Sequence, residues 1–192
     1  MKKKFNSILI LILAVFLMHT SSYAAEQSNI TQEYRIGNGD LLEIVTWKEP
    51  DFSREEILVR LDGKISFPLL DDIQAAGKTP TELKKSIENG LKKFVAAPNV
   101  TVTVRNAGSQ RFYILGEVTN TGEYPLVKNL SVLQAFALAG GFTEWASKKE
   151  IILFRKENGK DKVIQINYRD ITRDKDFSQN VVIQADDTIV VP

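Results

Sequence analysis

Two capping boxes constrain this chain most, because each fixes where a short helix must begin among runs that otherwise favour strands. Thr79-Pro80-Thr81-Glu82 offers a capping hydroxyl, a proline at the first helical position and a glutamate that closes the box. Leu83, Ile87, Leu91 and Phe94 come next at helical spacing and predict one apolar stripe, ended by Ala97-Pro98. Lys84, Lys85, Lys92 and Lys93 fall mostly off that stripe and read as a solvated face. Ser131-Val132-Leu133-Gln134 repeats the device. It opens a shorter helix through Ala139, which Gly140-Gly141 terminates.

Short β-branched and aliphatic runs fill the space around these helices. Leu41 to Trp47 reads as a strand. Leu58–Leu61 and Lys64–Phe67 flank Asp62-Gly63 and predict a hairpin, stopped by Pro68. Val100 to Val104 alternates as a half-buried strand. Asn106-Ala107-Gly108-Ser109 then reads as a short boundary between two closely joined modules. Beyond it, Phe112–Leu115 and Tyr124–Leu126 are strands about the turn Thr119–Gly122. Ile151–Arg155 and Val163–Ile166 flank the hairpin signal Asn158-Gly159. Val181–Ile183 and Thr188–Val191 are expected as closing strands. The pattern is α+β: two small sheets, each with one principal helix.

The N-terminus decides which chemistry is open to the chain. Lys2, Lys3 and Lys4 precede an apolar run of 11 residues, Ile8 to Met18, and Ser22-Tyr23-Ala24-Ala25 supplies a small-residue exit. These are the parts of a secretory signal peptide at 1–24, cleaved after Ala24; a short uncleaved anchor is the alternative. A helical run of that length spans only ~17 Å, short of a ~30 Å hydrocarbon core. The chain has no Cys, so a lipidated signal is not expected. Cleavage removes His19, Met1 and Met18, the chain's only His and Met, and leaves 168 of its 192 residues. It also removes three of the 25 basic residues and none of the 24 acids, leaving a net charge of −2. No nucleic-acid partner is indicated. His- and Cys-based catalysis is closed, common zinc and copper sites lack their ligands, and no cofactor is expected.

Several motifs together resemble one family. Tyr34-Arg35-Ile36-Gly37-Asn38-Gly39-Asp40-Leu41-Leu42-Glu43-Ile44 is similar to the opening signature of the bacterial polysaccharide export family. Asp62 to Leu69 and the helix start at Thr79–Leu83 also fit its pattern. Gly116-Glu117-Val118, Gly122-Glu123-Tyr124-Pro125 and Ala139-Gly140-Gly141-Phe142 are similar to the soluble-ligand-binding β-grasp (SLBB) module that comes second in that family. The resemblance implies an export domain at 30–106 and a β-grasp domain at 109–192. It implies a secreted, non-enzymatic subunit of a polysaccharide translocon, placed in the periplasm, either free or peripheral to the outer membrane. Its partners would be the polysaccharide, copies of itself in a ring (an octamer being the form suggested) and an inner-membrane polysaccharide co-polymerase. Larger members carry a lipidated Cys, repeated β-grasp modules or a terminal amphipathic helix. This sequence ends in the run Thr188–Pro192, and Asp186-Asp187 stands where the family has Gly-Asp. A separate outer-membrane channel is therefore expected.

The residues also carry plainer readings. Gly37-Asn38-Gly39-Asp40 is a turn rather than a dinucleotide fingerprint, since it lacks both the third glycine and the ensuing helix. Ligand or subunit contacts are expected at Gly37, Gly39, Asp40, Gly122, Tyr124, Gly140, Gly141 and Trp145. Trp47, Tyr113 and Tyr168 are further aromatic candidates, and Trp145 reads as half-buried. Asp71-Asp72 and Asp186-Asp187 are taken as solvated turn acids, not as the paired carboxylates of a glycosidase. A monomeric periplasmic glycan-binding module is the alternative function.

Overall fold

The computed structural model describes residues 33–157 and 159–192. The expected signal peptide, its cleavage site, nearly all of the lead-in to residue 33, and Asn158 lie outside the described residues.

Strand β1 (Leu41–Thr46) alternates, with Leu42 and Ile44 fully buried. It is the centre of a three-stranded antiparallel sheet, flanked by β2 (Arg54–Leu58) and β5 (Val100–Asn106). Strands β3 (Lys64–Phe67) and β4 (Asp71–Gln74) pair separately as a two-stranded ribbon. Helix α1 (Pro80–Leu91) starts with the predicted capping box. Glu82 N–H donates to Thr79 Oγ1 at 3.1 Å, and Thr79 N–H donates to the Glu82 carboxylate at 2.9 Å. Leu83, Ile87 and Leu91 are fully buried against Ile36, Leu42, Ile44, Ile65 and Val100, which form the first core.

The C-terminal half is built on β6 (Arg111–Gly116), β7 (Gly122–Pro125), β8 (Ile151–Glu157), β9 (Lys160–Ile166) and β10 (Thr188–Val191), with helix α2 (Val132–Leu138). The sheet order is β7-β6-β10-β8-β9. β10 runs parallel to β6 and antiparallel to β8, so the last strand in sequence is the middle strand in space. Val132, Ala135 and Phe136 of α2 pack on Phe112, Ile114, Ile151, Leu153 and Ile189. Gly140 (φ +77°) ends α2: its N–H donates to Ala137 O at 3.1 Å, and Gly141 N–H donates to Phe136 O at 2.9 Å. This pair is the double bond of a Schellman stop. Gly159 (φ +77°) turns the β8–β9 hairpin, in which Glu157 faces Lys160.

The architecture is α+β, a sheet-and-helix half followed by a β-grasp-like half, as the sequence predicts. Four details differ. Among the described residues there are three sheets rather than two, because the β3–β4 ribbon is its own unit. Asp62-Gly63 does reverse the chain, with Gly63 N–H donating to Arg60 O at 2.9 Å and Arg60 N–H to Lys64 O at 3.0 Å, but no ladder extends from that turn. Val59 bonds back to Gly39 and Asp40, so β3 finds its ladder with β4 instead. Helix α1 stops at Leu91, where Asn89 and Gly90 are poor helix formers, and Phe94 emerges 53% exposed rather than completing the stripe. Val181–Ile183 makes one bridge, Val182 to Ser131, because its neighbours bond to the start of α2: Val132 N–H to Val181 O and Ile183 N–H to Leu130 O.

One buried ion pair holds β10 in the middle of its sheet. Arg155 donates through Nε at 2.9 Å and Nη2 at 2.6 Å to the two oxygens of Asp187, which has no exposed surface. Asp187 also accepts from Gln184 N–H at 2.8 Å. The expectation of a solvated acid is thus corrected at Asp187. The preceding residue, Asp186 (φ +65°), holds the left-handed conformation that a glycine takes at lower cost. Asp187→Ala leaves a buried guanidinium without its partner and is expected to cost about 3–5 kcal/mol. The double variant Arg155→Met/Asp187→Leu should recover most of that in a thermal or urea melt, whereas equal losses would deny the pairing.

Candidate functional site

The glycine and acid positions marked in the sequence fall into two groups. Gly37, Gly39 and Asp40 form a turn that the inter-domain linker grips. Asp40 is fully buried at the head of β1. Its Oδ2 accepts from Tyr34 Oη at 2.5 Å and from Gly37 N–H at 2.8 Å. Its Oδ1 accepts from Ser109 N–H at 2.8 Å, across 69 positions of sequence. A Cβ on Gly37 would lie 2.3 Å from Ser109 Cβ, and one on Gly108 would lie 2.2 Å from Gly39 O. Both glycines are therefore needed for close approach of the linker. Asp40 acts from inside, with no surface of its own to offer a ligand. Burial, and then the hydrogen bond to Asp40, push the Tyr34 phenol up to about 12.

Gly122, Tyr124, Gly140 and Gly141 lie on loops that are tied together, with Trp145 close behind them in sequence. The loop after β6 is zipped to the loop after α2: Thr119 N–H donates to Gly141 O at 3.0 Å, Asn120 N–H to Ala139 O at 2.9 Å, and Thr143 N–H to Glu117 O at 3.2 Å. Tyr124 stacks on Phe112 with centroids 5.5 Å apart, and its hydroxyl donates to Asn120 O at 2.5 Å. Phe142 lies 4.7 Å from Phe136 and 4.9 Å from Tyr168, with Lys148 Nζ 5.4 Å from its ring centre. Tyr168 is thus a packing residue. Trp145 is 82% exposed, which corrects the half-buried reading. It comes three residues after Phe142, which is packed on Phe136 and Tyr168. Trp47 is also exposed, at 68%, but belongs to the first half.

A third cluster was not legible in the sequence. Arg60 donates to both oxygens of Asp72 (2.8 and 2.7 Å) and to both of Asp62 (3.2 and 2.6 Å), and Ser66 Oγ adds a bond to Asp72 at 3.0 Å. Arg60 is the main cause that holds the Asp72 carboxyl down at about 2. Asp71 and Asp72 lie on β4 rather than on a turn, and Ser66 faces Asp72 across the ribbon. That register is long-range information, so no local pattern announces it. The cluster borders an open cleft of ≈ 440 Å³ lined by Arg54, Ser66, Phe67, Pro68, Leu69, Asp71 and Asp72. Neither acid pair presents two free carboxylates to one space, since Asp72 serves Arg60 and Asp187 serves Arg155. Among the described residues no three potential ligands converge as a metal site.

The two halves correspond to two known sequence families. The family described as "Polysaccharide biosynthesis/export protein" matches residues 28–105, and the SLBB domain matches residues 111–167. An export-family domain is thus followed in this chain by an SLBB domain. The "EPS I polysaccharide export outer membrane protein EpsA" of Ralstonia nicotianae is 33% identical over 56% of this chain and 34% of its own length. The "Exopolysaccharide production protein ExoF" of Rhizobium meliloti is 32% identical over 57% of this chain and 28% of its own. The "Capsule polysaccharide export protein BexD" of Haemophilus influenzae is 26% identical over 88% of this chain and 46% of its own. The chain thus spans about a third of the first two relatives and under half of the third.

The Asp40–Ser109 bond lies where the export and SLBB matches meet, so the glycines of the export signature serve the joint between the two halves. Its tyrosine gives a direct readout. Folding raises the Tyr34 pKa from 10.0 to about 12, so the folded chain holds that proton more tightly. The resulting stability is complete below pH 10 and is lost as the pH rises through 12. Ultraviolet titration should show a late phenolate midpoint near 12 that Tyr34→Phe removes, leaving the smaller upward displacement of Tyr113 beside Glu123 in place. An unchanged curve in that variant would contradict the assignment.

Proposed function

We propose that this chain is a secreted, non-enzymatic subunit of a polysaccharide export translocon, acting as a periplasmic ring or adaptor for a separate outer-membrane channel. The observation that carries this reading is the order of an export half and an SLBB half with a buried acid across the joint. The relatives are named for capsule and exopolysaccharide export, two of them from the capsule and EPS I systems. We place the signal peptide at 1–24, the export domain at 30–106 and the SLBB domain at 109–192. Among the described residues no helix is long and apolar enough to cross a membrane. One carboxylate of each adjacent pair, Asp72 and Asp187, is engaged in an ion pair, which weighs against those pairs as glycosidase dyads.

In this reading, copies associate head to tail into a closed ring, with an octamer as the working size. The loop face of Gly122, Tyr124, Gly140, Gly141 and Trp145 is the contact surface for polymer or a neighbouring subunit. The inner-membrane polysaccharide co-polymerase hands polymer to the ring. The exposed Trp145 also favours a second reading, a monomeric glycan-binding module that uses the indole as a stacking platform.

A deletion strain separates the export reading from its rivals. Polysaccharide outside the cell should fall sharply, with retention or collapse inside, and the gene should restore it. Unchanged external polymer would sink the export role. Native mass of the secreted chain divides ring from monomer: a ring-sized particle supports the translocon, and a single-chain mass supports the binding module.

A further inference from the structure

Three loops meet at one end of the export half. Thr46, which closes β1, faces Val100 at the start of β5, and the next residue, Trp47, donates its N–H to Asn99 O at 2.9 Å. The connection from α1 to β5 reaches the same place, because Val100 N–H donates to the Glu88 carboxylate at 3.0 Å. The β3–β4 turn joins them: a Cβ on Gly90 would lie 2.8 Å from both Leu70 methyl groups, so that turn sits on the last turn of α1. Each loop presents one large apolar side chain to solvent, with Trp47 68%, Leu69 53% and Phe94 53% exposed.

None of the three belongs to a core cluster. Two positions in these loops hold the left-handed region without being glycine, Lys48 at φ +64° and Leu69 at φ +63°. That conformation is costly for a bulky residue such as leucine. Strain kept where it yields no packing points to a role at the surface. Lys48, Lys92 and Lys93 are exposed beside the apolar tips. Over 47–54, 68–72 and 92–99, Lys48, Arg54, Lys92 and Lys93 equal Glu49, Asp51, Asp71 and Asp72 in number, but Asp72 is paired with Arg60, and the lysine pair Lys92–Lys93 stands next to Phe94.

We propose that this end docks on an anionic phospholipid surface. Trp47, Leu69 and Phe94 enter the boundary between headgroups and acyl chains, while Lys48, Lys92 and Lys93 lie against the lipid phosphates. Apolar tips on three separate loops with lysines around them suit a broad, charged, apolar-backed plane. A carbohydrate site would ask for a cleft that holds the rings. The nearby cleft includes neither Trp47 nor Phe94. The docking requires neither a ring nor a polymer, so it stands or falls apart from the export role.

The test is co-sedimentation of residues 25–192, which hold both cores but not the apolar leader, with vesicles. Vesicles of phosphatidylethanolamine and phosphatidylglycerol should carry the protein down, and vesicles of phosphatidylcholine alone should carry much less. High salt should weaken the binding. Trp47→Ser with Phe94→Ser should lower apparent affinity by about tenfold or more. Lys92→Glu with Lys93→Glu should remove the preference for anionic vesicles. Circular dichroism and melting should stay those of the parent, because all four side chains are exposed. No binding, equal binding to neutral vesicles, or binding that survives both double variants would overturn the proposal.

Discussion

The Asp40 carboxylate is the interaction on which the rest of the arrangement depends. Its two oxygens collect three donors from three places: Tyr34 before the turn, Gly37 within it, and Ser109 in the linker. A buried carboxylate is expensive unless such donors surround it, and removing it strands them. The linker then has one place to lie, and β6 begins two residues later. That bond therefore sets where the second half starts.

The second half repeats the device. Asp187 heads β10 as Asp40 heads β1. Each accepts from the backbone N–H three residues earlier, Gln184 and Gly37, both at 2.8 Å. Each comes after a residue of positive φ, Asp186 and Gly39. Each starts a strand that is central to its sheet. Only the remaining partners differ: a tyrosine and a linker amide for Asp40, an arginine for Asp187. Loops at the ends of these sheets carry the exposed tryptophans, Trp47 in the first half and Trp145 in the second.

Much of this is legible in the residues. Both helix starts derive from local chemistry, since a capping box involves four neighbouring residues. The β8–β9 hairpin, the stop at Gly140 and the two-module order are equally local. The differences lie where pairing is distant. Nothing near Lys64 says that its ladder partner is Gln74, so the Asp62-Gly63 turn, real in itself, reads as the start of a longer ladder until the ribbon is seen. Nothing near Asp187 says that Arg155, 32 positions away, will neutralise it. The glycines of the export signature can be marked as turn residues from sequence, but their need for close approach to Ser109 depends on a contact 69 positions away in the Asp40 bond. Trp145 reads as half-buried because tryptophan is costly to expose, yet Phe142 takes the packing place beside Phe136 and Tyr168 while Trp145 is 82% exposed.

If Asp40 makes the two halves one cooperative unit, its loss must uncouple them. Calorimetric melting of the parent chain beside Asp40→Ala tests this most directly. One transition in the parent, and two separated transitions in the variant with the export half melting first, is the predicted result. Two transitions already in the parent, or a variant that still melts in one step at the parent's temperature, would contradict it.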